Sequence, residues 1–225
     1  MAIGFRILER RQAVGAELAK RFAEVPVACI SDVMSRLSAA GPTLRPLHAG
    51  GVLCGPAFTV KTRPGDNLMV HKALMLAQPG DVIVVDAGGD LTNALVGELM
   101  LSYGMQRGIA GVVINGAVRD SEWIGKHGFP VYAAGITHRG PYKDGPGEIN
   151  VPVSLDGMVV TPGDLMVGDA DGLVCVPHDH AEDVYALAAK KRDGEAKVLA
   201  NTLAGKLDAK AWVDETLRKL GCEGL

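Results

Sequence analysis

Residues 97–120 constrain the fold more tightly than any other stretch. Glu98 opens a segment that reads as a short helix, Gly108 stops it, residues 111–115 form an apolar β-branched run, and Arg119 and Asp120 follow at once. Helix, strand and charged pair in that order point to an open α/β sheet. In such sheets ligands bind in loops beyond the carboxyl ends of strands, which is where this pair falls.

The residue types suit a small anion. Asp120 offers hard oxygen ligands for Mg²⁺ or a similar ion, Glu98 a second carboxylate, and Arg119 a planar fork for a carboxylate or a developing oxyanion. Amides that follow Gly97 at the start of the helix are donors without intrahelical partners. Chemistry alone leaves an equal alternative, in which Arg119 and Asp120 merely cap a helix at residues 121–124.

The flanks extend the alternation. An amphipathic helix is expected over residues 10–25, closed by Pro26, and Ser31 and Asp32 should cap a second helix through Leu37. Two strand-like runs, 52–54 and 57–62, are separated by Gly55 and Pro56, and the turn 64–67 delivers a helix near Asn67 that carries His71 and Lys72. Asn67 could cap that helix or donate its amide to a ligand. Residues 82–85 read as a buried strand. After Asp120 come a helix to His127, a strand over 130–134, and a Gly/Pro-rich loop over 135–150, suited either to a substrate rim or to a subunit contact. Short strands fill 151–176, with a hairpin at Asp156 and Gly157 and a tight turn rather than a calcium loop at 169–172.

From Asp179, the expected cap, to Ala204 the chain reads as a helical arm interrupted at Gly194 and Glu195. A last helix is capped by Asp208 and carries Trp212. His178 and His180, two residues apart, are poorly placed to share a metal.

Bulk properties exclude several classes. A net charge of −3 argues against a nucleic-acid surface built on bulk basicity, and no stretch is long and apolar enough for a membrane span, so a cytoplasmic address is expected. Four widely spaced cysteines without Cys-x-x-Cys, three of them among apolar neighbours, read as reduced core thiols rather than a disulfide framework or zinc site. Neither Gly-x-Gly-x-x-Gly nor a P-loop is present, which leaves nucleotide binding without a motif.

Glu98, twenty intervening residues, then Arg119 and Asp120 in the context Asn-Gly-Ala-Val-Arg-Asp closely resemble the signature of the RraA-like family. The likeness continues through Pro-Gly-Asp-Asn-Leu at 64–68, Gln-Pro-Gly-Asp-Val at 78–82, Gly-Phe-Pro-Val at 128–131, Val-Pro-Val at 151–153, Thr-Pro-Gly-Asp at 161–164 and Asp-Ala-Asp-Gly at 169–172, over roughly residues 25–200. Glu98 stands where many members carry Asp.

This resemblance implies a layered α-β-β-α sandwich of the phosphohistidine-domain-like type. It also implies one domain over 1–225, with a core at about 25–177 and a C-terminal helical arm at about 178–225. It further implies a class II pyruvate aldolase acting on 4-hydroxy-4-methyl-2-oxoglutarate or 4-carboxy-4-hydroxy-2-oxoadipate, with oxaloacetate decarboxylation as a second activity. In that reading Asp120 is the metal ligand, for Mg²⁺ or else Mn²⁺ or Co²⁺, and Glu98 holds the ion through water. Arg119, Glu98 and a Glu195 donated by a neighbouring subunit are catalytic. Gly97, Glu98, Leu99, Met100, Arg119 and Asn67 bind substrate. A homotrimer or homohexamer with sites at subunit interfaces is implied. The alternative class is a non-enzymatic regulator that binds a ribonuclease, as some relatives do, and a third option is a lyase on another small oxo acid.

Overall fold

The computed structural model of the chain describes residues 3–224. Its elements run in chain order as β1 (Phe5–Ile7), α1 (Ala16–Phe22), α2 (Val27–Val33), β2 (Arg45–Pro46), β3 (Leu53–Thr62), α3 (Leu68–Leu76), β4 (Val82–Asp86), β5 (Ala94–Val96), α4 (Glu98–Gln106) and β6 (Gly111–Val118). They continue as α5 (Ser121–Lys126), β7 (Val131–Ile136), β8 (Gly147–Ile149), β9 (Val153–Leu155), β10 (Met158–Val160), β11 (Leu165–Gly168), β12 (Leu173–Val176), α6 (Ala181–Leu203) and α7 (Ala211–Lys219). The chain forms two compact units, Met1–Ala189 and Lys190–Leu225.

Unit one has the expected α-β-β-α order, and side-chain parity along the strands produces it. The main sheet runs β1-β8-β3-β4-β6-β7-β2, with β3, β4, β6 and β7 mutually parallel and β5 added in parallel to β6. Successive strand residues point to opposite faces. Ile83, Val85, Val112, Ile114, Val131 and Ala133 therefore pack beneath the helices α3, α4 and α5, while Val82, Val84, Val113 and Tyr132 face β9 to β12. The same alternation in β11 and β12 sends Met166, Leu173 and Cys175 inward and Leu165, Val167, Val174 and Val176 outward. There they meet Phe22, Ile30 and Ala188 of α1, α2 and α6.

β3 joins the layers. Leu53 to Pro56 pair antiparallel with β11, and Ala57 to Lys61 pair parallel with β4. The sequence suggests a break at Gly55 and Pro56, but the strand runs through both. Gly55 lies against the carbonyl of Gly80, where a Cβ would come within 2.2 Å, and close approach explains the glycine better than a turn does.

Several other boundaries move. Residues 8–15 are irregular and α1 starts only at Ala16; Pro26 is the N-cap of α2, so Ser31 and Asp32 lie inside the helix instead of capping it. Pro suits a helix start because its missing N–H has no acceptor there anyway. Helix α6 continues through Gly194 and Glu195 without interruption, at the modest cost of one mid-helix glycine. His178–His180 form a 3₁₀ turn before it, so Asp179 does not cap the long helix, and Lys210 rather than Asp208 is the N-cap of α7. The hairpin at 156–157 and the helix ending before Gly108 are as expected.

Candidate active site

Two parallel strands bring the charged groups together. β5 and β6 pair with Ala94 opposite Ala117 and Val96 opposite Val118, so the residues leaving their carboxyl ends, Gly97 with Glu98 and Arg119 with Asp120, emerge side by side. The backbone N–H of Glu98 donates to Oδ2 of Asp120 at 2.8 Å, and the N–H of Arg119 donates to the Val96 carbonyl at 3.0 Å. Asp120 sits at φ +60°, in the left-handed region that Asp tolerates better than most residues. A Cβ on Gly97 would lie 2.3 Å from Oδ2 of Asp120 and 2.7 Å from Cγ of Arg119, so only glycine admits this approach.

The first turn of α4 is therefore partly committed. The Glu98 amide is held by Asp120 and the Met100 amide donates to the Gly97 carbonyl at 3.1 Å, whereas the Leu99 amide has no hydrogen bond among the described residues. Glu98 is exposed, and the side chains of Arg119 and Asp120 are 43% and 39% exposed with Nε and Oδ2 3.8 Å apart. All three charges face water and remain free to meet a ligand. Although Asp120 occupies the N-cap position of α5, its side chain makes no capping bond there and instead holds the first amide of α4.

A cavity of about 290 Å³ opens beside them, lined by Gly97, Leu99, Met100, Arg119, Asn67 and His71 together with Gly140, Pro141 and Lys143 of the 135–150 loop. Asn67 departs from expectation. It makes no side-chain capping bond to α3; its Nδ2 donates to the Leu95 carbonyl at 2.8 Å and lies 3.3 Å from the Met100 sulfur. Its amide is thus spent inside the protein, while Oδ1 is buried without a partner.

His71 and Lys143 are functional candidates that sequence reasoning did not single out. Both belong to segments recognised as a helix and a rim loop, yet nothing in the sequence indicates that they converge. Burial pushes the His71 imidazole below its ordinary 6.5, and the Lys143 ammonium adds to the shift. Glu195 lies in the second unit, where its carboxylate pairs with Lys191 at 2.8 Å. His178 is engaged with Asp164 at 3.1 Å, and no cluster of three or more His, Cys, Asp or Glu suitable for a metal occurs among the described residues.

That donor set still fits one kind of ion. Mg²⁺ keeps several waters and is commonly bound through one or two carboxylates plus substrate oxygens, whereas structural zinc needs a closed cage of four ligands. Asp120, half-exposed and with Oδ1 uncommitted to any hydrogen bond, and exposed Glu98 nearby meet the first description.

A family model described as RraA-like, Aldolase/RraA, matches residues 27–175. A Halalkalibacterium halodurans protein bearing the provisional name 4-hydroxy-4-methyl-2-oxoglutarate aldolase is 44% identical over 178 residues, covering 79% of this chain and 85% of the relative. Among solved structures, an uncharacterized protein from Pseudomonas syringae pv. tomato superposes with a TM-score of 0.79 at 25% identity, covering 89% of this chain and 94% of the other. Streptomyces coelicolor RraAS2, described as an unusual member of the RNase ES inhibitor RraA protein family, gives a TM-score of 0.74 at 28% identity, covering 82% and 96%.

Proposed function

Because this chain belongs to the RraA-like family, we propose that it is a divalent-metal-dependent aldolase releasing pyruvate from 4-hydroxy-4-methyl-2-oxoglutarate or 4-carboxy-4-hydroxy-2-oxoadipate, with oxaloacetate decarboxylation as a second activity. The observation that carries the reading is that two parallel strands deliver Arg119 and Asp120 beside the first turn of α4, where the Glu98 backbone N–H donates to Oδ2 of Asp120 at 2.8 Å.

Asp120 would hold a Mg²⁺ ion directly and Glu98 through water. When bound, the ion supplies Lewis-acid stabilisation for the charge that develops on the 2-oxo oxygen. The chain does the rest. Arg119 pairs with the pyruvyl oxygens, where its fixed fork stabilises the enolate left by carbon–carbon cleavage. The Leu99 amide binds the pyruvyl carboxylate at the start of α4, with Gly97 admitting the close approach, and the side chain of Met100 closes the wall. Asn67, whose amide nitrogen is engaged by Leu95, holds that wall in place.

The proton on the 4-hydroxyl leaves through a water positioned by Glu98 or through Glu195 of a neighbouring subunit in a trimer or hexamer. Oxaloacetate would pass through the same enolate, and loss of CO₂ replaces loss of the second oxo acid. Lys143 lines the cavity, so a Schiff-base route has a nearby amine. A metal route predicts that borohydride added with substrate traps no adduct.

The test is pyruvate release from 4-hydroxy-4-methyl-2-oxoglutarate, coupled to lactate dehydrogenase, with Mg²⁺ and then with EDTA. Release that stops on chelation supports the aldolase; silence with this substrate and with oxaloacetate rejects it. The likeness to RraAS2 favours a second reading, a regulator that binds a ribonuclease. That reading predicts co-purification with a ribonuclease and binding unchanged by Asp120→Ala.

A further inference from the structure

We propose that Asp66 is a positioning residue that fixes α3 and the loop 139–145, two segments that line the cavity, relative to one another; the claim rests on the aldolase reading for its catalytic consequence only. Asp66 is fully buried, and both of its oxygens accept hydrogen bonds. Oδ1 accepts from the Leu68 amide at 2.9 Å, at the start of α3. Oδ2 accepts from the amides of Asp144 at 2.7 Å and Gly145 at 2.8 Å and from the Arg63 guanidinium at 3.2 Å. One carboxylate therefore ties the helix that carries Asn67 and His71 to the loop that carries Lys143.

The backbone completes the clamp. Tyr142 donates its N–H to the Gly65 carbonyl at 2.9 Å and accepts from the Asn67 N–H at 3.0 Å. Lys143 is thus flanked on both sides by fixed residues, although it is itself exposed. Earlier in the loop, the Ala94 N–H donates to the Arg139 carbonyl at 2.8 Å and the Asn93 side chain holds the Gly140 carbonyl, which anchors the loop beside β5. Loop residues 139–145 are held at both ends and present Pro141 and Lys143 between the anchors.

Two other Pro-Gly-Asp turns in the chain supply a control. Asp81 and Asp164 are likewise buried, and each accepts from the backbone N–H three residues before it, Gln78 at 2.8 Å and Thr161 at 2.9 Å. Like Asp66, neither lines the cavity, but unlike it neither accepts a hydrogen bond from α3 or from residues 139–145. A merely structural carboxylate at Asp66 would behave as Asp81 does.

The experiment compares wild type, Asp66→Asn and Asp81→Asn, each as the full chain with Mg²⁺. Asparagine is isosteric but must turn an NH₂ toward backbone N–H donors, so the clamp is opposed rather than only weakened. Two readouts are taken: amide hydrogen exchange over residues 139–145, and KM against kcat for pyruvate release from 4-hydroxy-4-methyl-2-oxoglutarate. Asp66→Asn is expected to accelerate exchange of Asp144 and Gly145 and to raise KM roughly tenfold while kcat changes less, since misplacing a binding wall weakens engagement of the substrate. Asp81→Asn is expected to lower the melting temperature with KM and loop exchange unchanged.

Arg63→Met removes the 44% exposed partner of Asp66 together with that residue's 4.0 Å contact to the Asp144 carboxylate and its cation–π contact with Tyr142; it should shift both readouts in the same direction by a smaller factor and serves if Asp66→Asn fails to fold. Unchanged exchange over 139–145 in the folded Asp66 variant, or in Arg63→Met if it stands in, overturns the proposal, as does an equal rise of KM in Asp81→Asn. If wild type releases no pyruvate, the aldolase reading fails, and hydrogen exchange alone decides the clamp.

Discussion

Gly97, Asp120 and His71 carry the sharpest tests at the scale of single residues. Gly97→Ala would drive a methyl group to 2.3 Å from Oδ2 of Asp120, so we expect pyruvate release to fall by about 100-fold or more while the fold survives, as seen by coupled assay and circular dichroism. Asp120→Ala should abolish turnover and Arg119→Ala nearly so, each with a loss of about 3 kcal/mol or more in transition-state stabilisation; an active Asp120→Ala enzyme would rule out the metal site. For His71, the folded pKa lies below 6.5 because burial and Lys143 both disfavour the imidazolium. The stability it contributes is fully present above about pH 6.5 and is lost as pH falls toward the folded pKa. An NMR titration should place its midpoint below that of a free histidine, and Lys143→Met should move the midpoint upward. The charged groups were legible in the sequence because their spacing survives as a motif. The convergence of His71 and Lys143 was not, since it depends on a loop held by Asp66 from a distant turn.

Among the elements, the Pro-Gly-Asp turns show what local pattern can and cannot reveal. As turns they are readable, but the sequence gives no sign that each Asp is buried as an acceptor. Asp81 also takes a 2.7 Å ion pair from Arg10, with the two side chains only 2% and 15% exposed. Removing one partner of a buried pair strands the other charge, so Asp81→Ala is expected to cost about 3 kcal/mol in urea denaturation. Alternating strands were equally legible: β4, β6, β11 and β12 lie where β-branched runs place them. Errors collected where tertiary contact overrides local preference. β3 passes straight through Gly55 and Pro56 because two partner strands hold it, and Gly194 stays helical inside a 23-residue helix.

For the whole molecule, the layered order was accessible through the family resemblance, and the strand parity that produces it shows only once the strands are paired, whereas assembly is not written in one chain. Light scattering is expected to give a trimer or hexamer, and Glu195→Gln should lower kcat if that carboxylate completes a neighbour's site; a stable monomer would remove Glu195 from the proposal. The strand that pairs with β11 in its first half and β4 in its second has a practical consequence for anyone who would cut or graft this protein. Neither β layer can be expressed as an autonomous fragment, because a break at Pro56 would leave β11 with a bare edge ready to recruit another chain. Redesign of specificity therefore has to proceed through the rim loop and the α4 turn, with the double-layered frame inherited intact.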